Sequence, residues 1–356
     1  MSGSNPGDHP DTRVVEATPA TPVTPVVSVP PSVGQAGRTD VPARARLVGF
    51  LGRYGTILGL VLLVIFFWAK SPVFMSVSNF TNILTASAIL GVIAAGLTIA
   101  LIVNEFDLSV GYIATASGML TAGVAQTYGM AGGSVAAVLL GIGVGLVNGL
   151  VVTRLGVSAF IATLAVGQVL AGWLLAYNGG QQIQYDLPAD FNVLGAGRVG
   201  PVPYLLICWF AVLVLLWLLT THTTFGRRLY AVGANMTAAR LSGVRVDRTR
   251  VTAFVLCGAA AGFAGLLLAS NIGAGNPLAG LGYLLPAFAA CFIGAATLSA
   301  GRFHVWGTFV GVLILGVLQN GLVLIGVSPA WSTAAQGIVL VFAVAISGFS
   351  RKLVSR

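Results

Sequence analysis

The sequence predicts an all-α polytopic membrane protein of about ten transmembrane helices, and three observations carry that prediction. Of its 356 residues, 56% are hydrophobic and only 8% are charged, against roughly 25% charge in soluble domains. No Asp, Glu, Lys or Arg occurs from Val251 to Gly301, nor from Phe303 to Ser350, and each stretch is long enough for two spans at about 20 residues apiece. The 47 glycines suit helices packed in lipid, where small residues let backbones approach.

Residues 1–46 hold eight of the fifteen prolines, with acidic and basic residues in equal number. This composition reads as a disordered cytoplasmic leader, and it lacks the apolar run before a cleavage site that marks a signal peptide. The transmembrane domain occupies 47–356, with spans at 54–69, 81–103, 110–128, 132–153, 158–177, 203–221, 251–270, 283–300, 303–325 and 331–349. Placing the N-terminus inside leaves only Lys70 and Arg198, of 18 Lys and Arg, on the outer side. That asymmetry puts both termini in the cytoplasm and requires an even number of spans.

Spans four and five resemble spans nine and ten. Gly145-Leu-Val-Asn148-Gly149 followed by Gly156-Val157-Ser158 recurs as Gly316-Val-Leu-Gln-Asn320-Gly321 followed by Gly326-Val327-Ser328. A displacement of five spans reverses orientation in the bilayer, so the pattern reads as an inverted repeat, a transporter feature; chance similarity between glycine-rich helices is the alternative.

Several functions are excluded. Neither lysine, Lys70 or Lys352, sits in a phosphate-binding loop, so the chain carries no ATP site of that type. His9, His222, His304, Cys208, Cys257 and Cys291 show no metal-ligand spacing, and no metal or other cofactor is expected. The net charge of +9 flanks spans instead of building a soluble basic face, which argues against nucleic acid and for contact with membrane lipid.

Glu105 and Asp107 interrupt the apolar run at Val103-Asn-Glu-Phe-Asp-Leu-Ser-Val-Gly111. No basic residue in a neighbouring span offers itself as a partner, which places both at a water-accessible helix end, with Asp107 as N-cap of the third span. Pathway lining and a proton relay are the alternatives. The remaining polar or helix-breaking candidates along the pathway are Ser109, Asn148, Phe160, Thr163 and Asn320.

Residues 222–250 form a loop far longer than a simple helix connection needs, with six arginines and one acid, Asp247, between Thr221 and Arg250. Asn235 is placed to cap a short helix from Met236 to Ser242 that Gly243 ends in a left-handed conformation. Ala238, Ala239 and Leu241 give it a small, partly apolar face that needs a partner to cover it; a helix lying on the membrane surface is the alternative.

The run Thr224-Phe-Gly-Arg-Arg-Leu-Tyr-Ala-Val-Gly-Ala-Asn-Met-Thr-Ala-Ala-Arg-Leu-Ser-Gly243 resembles the cytoplasmic loop of permease subunits of bacterial ABC sugar importers of the ribose/xylose/galactose type. Thr237-Ala238-Ala239 with Gly243 is similar to that family's Glu-Ala-Ala-x-x-x-Gly coupling signature, with Thr in place of Glu. Phe106-Asp-Leu-Ser-Val-Gly111, Asn148-Gly149, Phe160-Ile-Ala-Thr-Leu164, Gly282-Tyr283, Ala289-Ala290 and Trp306-Gly307-Thr308 match in order. Two departures stand out: Gly282-Tyr-Leu-Leu-Pro286 lacks both acids of the family's Gly-Tyr-Glu-Leu-Asp, and Glu105 replaces a small residue.

The resemblance implies a type II ABC importer-like transmembrane subunit in the bacterial plasma (inner) membrane, paired with a second permease copy as homodimer or close paralogue. A cytoplasmic ATP-binding subunit would dock through Asn235, Thr237, Ala238, Ala239, Arg240 and Gly243. An extracytoplasmic solute-binding protein would deliver a sugar or related polyol, and the chain itself would not be an enzyme. The rival reading is an ion-coupled secondary transporter using Glu105 or Asp107.

Overall fold

The computed structural model describes residues 43–296, 301–328, 330–339 and 341–342, with side chains from Ile57 onward. Residues 1–42 of the proline-rich leader, Arg351, Lys352, Arg356 and the far ends of predicted spans eight and ten lie outside the described residues, whereas residues 43–46, read from sequence as the end of that leader, are helical. The elements run α1 (Ala43–Lys70), a 3-10 turn (Pro72–Met75), α2 (Val77–Ile102), α3 (Val110–Arg154), α4 (Ala159–Asn178) and a short α5 (Val193–Ala196). An antiparallel pair follows, β1 (Arg198–Val199) with β2 (Val202–Pro203). Then come α6 (Tyr204–His222), α7 (Thr224–Ala234), α8 (Met236–Leu241), α9 (Val246–Ile272), α10 (Leu284–Ala296) and α11 (Val305–Leu324), and a helix over residues 330–339.

Among the described residues, six helices (α2, α3, α4, α6, α9 and α11) are long and apolar enough to cross a membrane, and Ile57–Lys70 and Leu281–Ala296 form shorter apolar stretches. The 45 residues of α3 would reach about 68 Å at 1.5 Å per residue, twice a bilayer core. The chain instead doubles back at Gly129, whose φ of 69° and ψ of 178° belong to a region that is essentially glycine's alone. The hydroxyl of Ser117 donates to the Ala137 carbonyl at 3.1 Å, and a Cβ on Gly133 would lie 2.5 Å from the Thr121 carbonyl oxygen. The two halves therefore run side by side in opposite directions.

Glycines set the closest packing. Gly141 and Gly145 of α3 meet Gly258 and Gly262 of α9, and a Cβ on Gly141 would overlap the Gly258 carbonyl oxygen. Both are small-residue pairs spaced by four, the pattern that lets helix backbones approach in lipid. Helix α2 is buried along most of its length and packs against α6, α9, α10 and α11, so its two ends connect the two opposite faces of the bundle.

Local hydrogen bonds start the helices. Ser76 accepts from the Asn79 amide at 3.2 Å, Thr223 from Gly226 at 3.2 Å, and the His304 ring Nδ1 from Gly307 at 2.6 Å. Each satisfies an amide that the first helical turn leaves open.

Candidate functional site

The arginine-rich loop contains two helices where the sequence reading placed one. Thr223 starts α7, and Phe225, Leu229 and Val232, spaced by four and three, turn inward with Leu229 and Val232 fully buried. Arg227 and Arg228 stay exposed. In α8, the Asn235 side chain accepts from the Ala238 amide at 3.0 Å. The helix closes with Gly243 N–H to the Arg240 carbonyl and Val244 N–H to the Ala239 carbonyl, both at 3.0 Å, and with Gly243 at φ +80°. This double closure around a left-handed glycine satisfies the last carbonyls.

The exposed residues of α8 are Thr237, Ala238, Arg240 and Leu241. Ala239 corrects the sequence reading: it is only 5% exposed and belongs to the chain's own apolar core, so it supports α8 from behind and is not free for a partner. Arg240 makes an exposed ion pair with Asp247 at 3.5 Å.

The corner between α2 and α3 packs under this loop. Helix α2 ends through Asn104 N–H to the Leu101 carbonyl and Glu105 N–H to the Ala100 carbonyl, both at 3.0 Å, with Asn104 itself at φ +60°. Asparagine tolerates this conformation better than other side chains do. Its amide then donates to the Gly233 carbonyl in α7 at 2.6 Å. A Cβ on Gly233 would overlap the Ile102 carbonyl oxygen.

Glu105 also departs from expectation. It is buried, and its Oε1 accepts from Nε of Arg250 at 2.6 Å, with Nη2 of the same guanidinium in ion-pair contact at 2.6 Å. The two side chains are 6% and 18% exposed. Burial pushes the Glu105 carboxyl above its ordinary range, while the hydrogen bond and charge of Arg250 pull it back. The expected absence of a basic partner therefore fails. Arg250 immediately precedes the seventh predicted span, which tertiary packing brings beside the end of the second.

Asp107 is fully buried, against the expectation of a water-accessible end. It does not cap α3: Ser109 occupies that position, and Asp107 Oδ1 accepts from the Ser109 amide at 2.9 Å and hydroxyl at 2.5 Å. Asn148 donates to the Ser109 hydroxyl at 2.8 Å. Thr163 accepts from the Leu108 amide at 3.0 Å and donates to the Ala159 carbonyl at 2.7 Å. Four of the six pathway candidates thus form one packed polar brace. Phe160 is 54% exposed and takes no hydrogen-bonding part in it.

Asn320 lies at the opposite end of α2, in a reciprocal amide pair with Asn79 at 3.0 Å in both directions. There it borders a cavity of about 790 Å³ between α2, α9, α10, α11 and the helix over residues 330–339. Thr85, Ser87, Asn271, Gln319 and Gln336 also line it, and none of the lining residues is charged. The Ser87 hydroxyl is buried without a hydrogen-bond partner among the described residues.

The sequence held a clue to α7 in its apolar spacing of four and three after a capping threonine. It held none to the Glu105–Arg250 pair, whose members are 145 residues apart.

Residues 79–344 match the family described as branched-chain amino acid transport system / permease component. The ribose import permease protein RbsC of Bacillus subtilis (strain 168) is 38% identical over 306 residues, 85% of this chain and 94% of that protein. The D-allose transport system permease protein AlsC of Escherichia coli (strain K12) is 32% identical over 83% of this chain and 92% of its own. The L-arabinose ABC transporter permease protein AraH of Azospirillum brasilense is 32% identical over 87% and 92%. No solved structure matches the chain.

Proposed function

The chain belongs to the permease-component family of these import systems, and from that premise we propose that it is the membrane-spanning subunit of an ATP-driven importer for a sugar or related polyol. It works in the inner membrane beside a second permease copy, receives solute from an extracytoplasmic binding protein, and is driven by a separate ATP-binding subunit docked on residues 222–250. The carrying observation is the capped and closed α8, which presents Thr237, Ala238, Arg240 and Leu241 outward, with Leu241 85% exposed. The sugar named for three relatives supports the solute class, and the uncharged cavity beside Asn320 supports a neutral solute.

In this reading residues 47–356 make ten crossings with both termini in the cytoplasm. The fold-back at Gly129 supports two crossings in α3, and α1, α10 and the helix over 330–339 supply the others beyond the long apolar helices. An inverted repeat relates spans four and five to nine and ten. Gly156 and Gly326 both take positive φ, +68° and +82°. Ser158 and Ser328 each then accept at their carbonyl from the amide four residues on, at 3.0 and 3.1 Å.

The test is uptake of radiolabelled ribose, allose and arabinose into vesicles carrying the assembled importer. Collapsing the proton gradient at constant ATP leaves uptake intact, whereas Ala238→Trp keeps its membrane level, releases the ATP-binding subunit and stops uptake. Uptake that stops with the gradient while ATP is maintained returns the reading to an ion-coupled transporter.

A further inference from the structure

Helix α8 hangs between two anchors. On one side α7 ends against the α2 terminus, where Gly233 sits on the Ile102 carbonyl and the Asn104 amide holds the Gly233 carbonyl. On the other side α9 begins, and Arg250 in its first turns holds Glu105 through an Nε–H hydrogen bond and an ion pair. Adjacent residues of one corner, Asn104 and Glu105, therefore hold both flanks of α8. From that corner the connection continues inward: Asp107 to Ser109, Ser109 to Asn148 in the returning half of α3, and Leu108 to Thr163 in α4. At the far end of α2 lies the uncharged cavity.

We infer that Glu105 is a positioning residue for transport: its bond to Arg250, beside the Asn104–Gly233 bond, makes the α2–α3 corner move as one body with the docking loop, so that displacement of α8 reaches the cavity at the other end of α2. Both groups lie largely out of water, so the pair is weakly screened, and its Nε–H to carboxylate bond is charge-assisted. A neutral amide at position 105 would leave the guanidinium without its charge partner and release the α9 side of the loop. This inference deepens the docking role proposed above and rests on it.

The test uses the complex of this chain with its ATP-binding subunit, in a Cys208→Ala background, with a reporter thiol at Gln319→Cys in the distant cavity and a membrane-impermeant maleimide as probe. ATP with vanadate is expected to change the labelling rate at least about fivefold. Glu105→Gln retains the ATP-binding subunit but reduces that change to less than about twofold, and Arg250→Lys, which keeps the charge without the Nε–H donor, falls between. The exchanged pair Glu105→Arg with Arg250→Glu restores at least half of the response, which a loss of general stability would not allow. An ATP response in Glu105→Gln equal to the parent's overturns the inference alone, as does a parent complex that shows no response or an exchanged pair that restores none. A parent chain that retains no ATP-binding subunit overturns the docking role and this inference together.

Discussion

The two ends of α2 treat polar groups in opposite ways. At the arginine-rich end, Asn104 bonds to Gly233, Glu105 to Arg250, Asp107 and Asn148 to Ser109, and Thr163 to the Leu108 amide. At the other end, the Asn79–Asn320 pair closes on itself, while Asn271, Gln319 and Gln336 border open space without charged neighbours in the cavity lining. The first set spends most of its polar atoms on one another, although Asp107 Oδ2 and Asn148 Oδ1 stay without a hydrogen-bond partner among the described residues, whereas the amides around the uncharged cavity remain available to hydroxyl groups. In the proposed function the first end serves coupling and the second the solute.

The sharpest way to break this contrast is at Gly233. A valine there would drive its Cβ into the Ile102 carbonyl, and overpacking a fitted contact costs about 1 to 3 kcal/mol. Gly233→Val is expected to lower sugar uptake more than about tenfold while the cavity end keeps its structure, read as unchanged maleimide labelling of Gln319→Cys without nucleotide. A variant with parental uptake would show that the close approach of α7 to α2 is incidental.

A smaller and different effect belongs to the cavity. Gln319→Leu removes one exposed amide, and a single hydrogen bond is worth about 1 kcal/mol, so the half-saturating sugar concentration should rise about fivefold. Retention of the ATP-binding subunit should stay at the parental level, measured by co-purification. Loss of that subunit instead would mean that the two ends are not separable in this way.

The smallest effect on the fold is expected at Arg240. Its pair with Asp247 is exposed on both sides, 67% and 55%, and such pairs contribute at most about 1 kcal/mol. Arg240→Gln should leave the thermal midpoint of the purified chain nearly unchanged. Any fall in retention of the ATP-binding subunit then reports on the docking surface itself. A large drop in the midpoint would reassign Arg240 to holding α8 on α9.

How far these features can be read without coordinates depends on their range. The cap at Asn235 and the closure at Gly243 were legible because each acts within a few residues. Ala239 was misassigned because one turn of helix does not reveal which face meets the rest of the chain. The reading of Asp107 as the N-cap of α3 fails because Ser109 holds that position, and the buried Asp107 carboxylate accepts from that residue's own amide and hydroxyl.

Sequence alone determined that the chain is an apolar helical membrane protein, where its apolar runs lie, and that a short capped helix projects from the arginine-rich loop. Those properties rest on composition and on hydrogen bonds between near neighbours, which a linear chain displays directly. Only the tertiary structure decided that Asn104 meets Gly233 across 129 residues and Glu105 meets Arg250 across 145. Such partners are chosen by how whole helices pack, and the glycine contacts between α3 and α9 that set this packing depend on backbone approach, which no short stretch of sequence encodes.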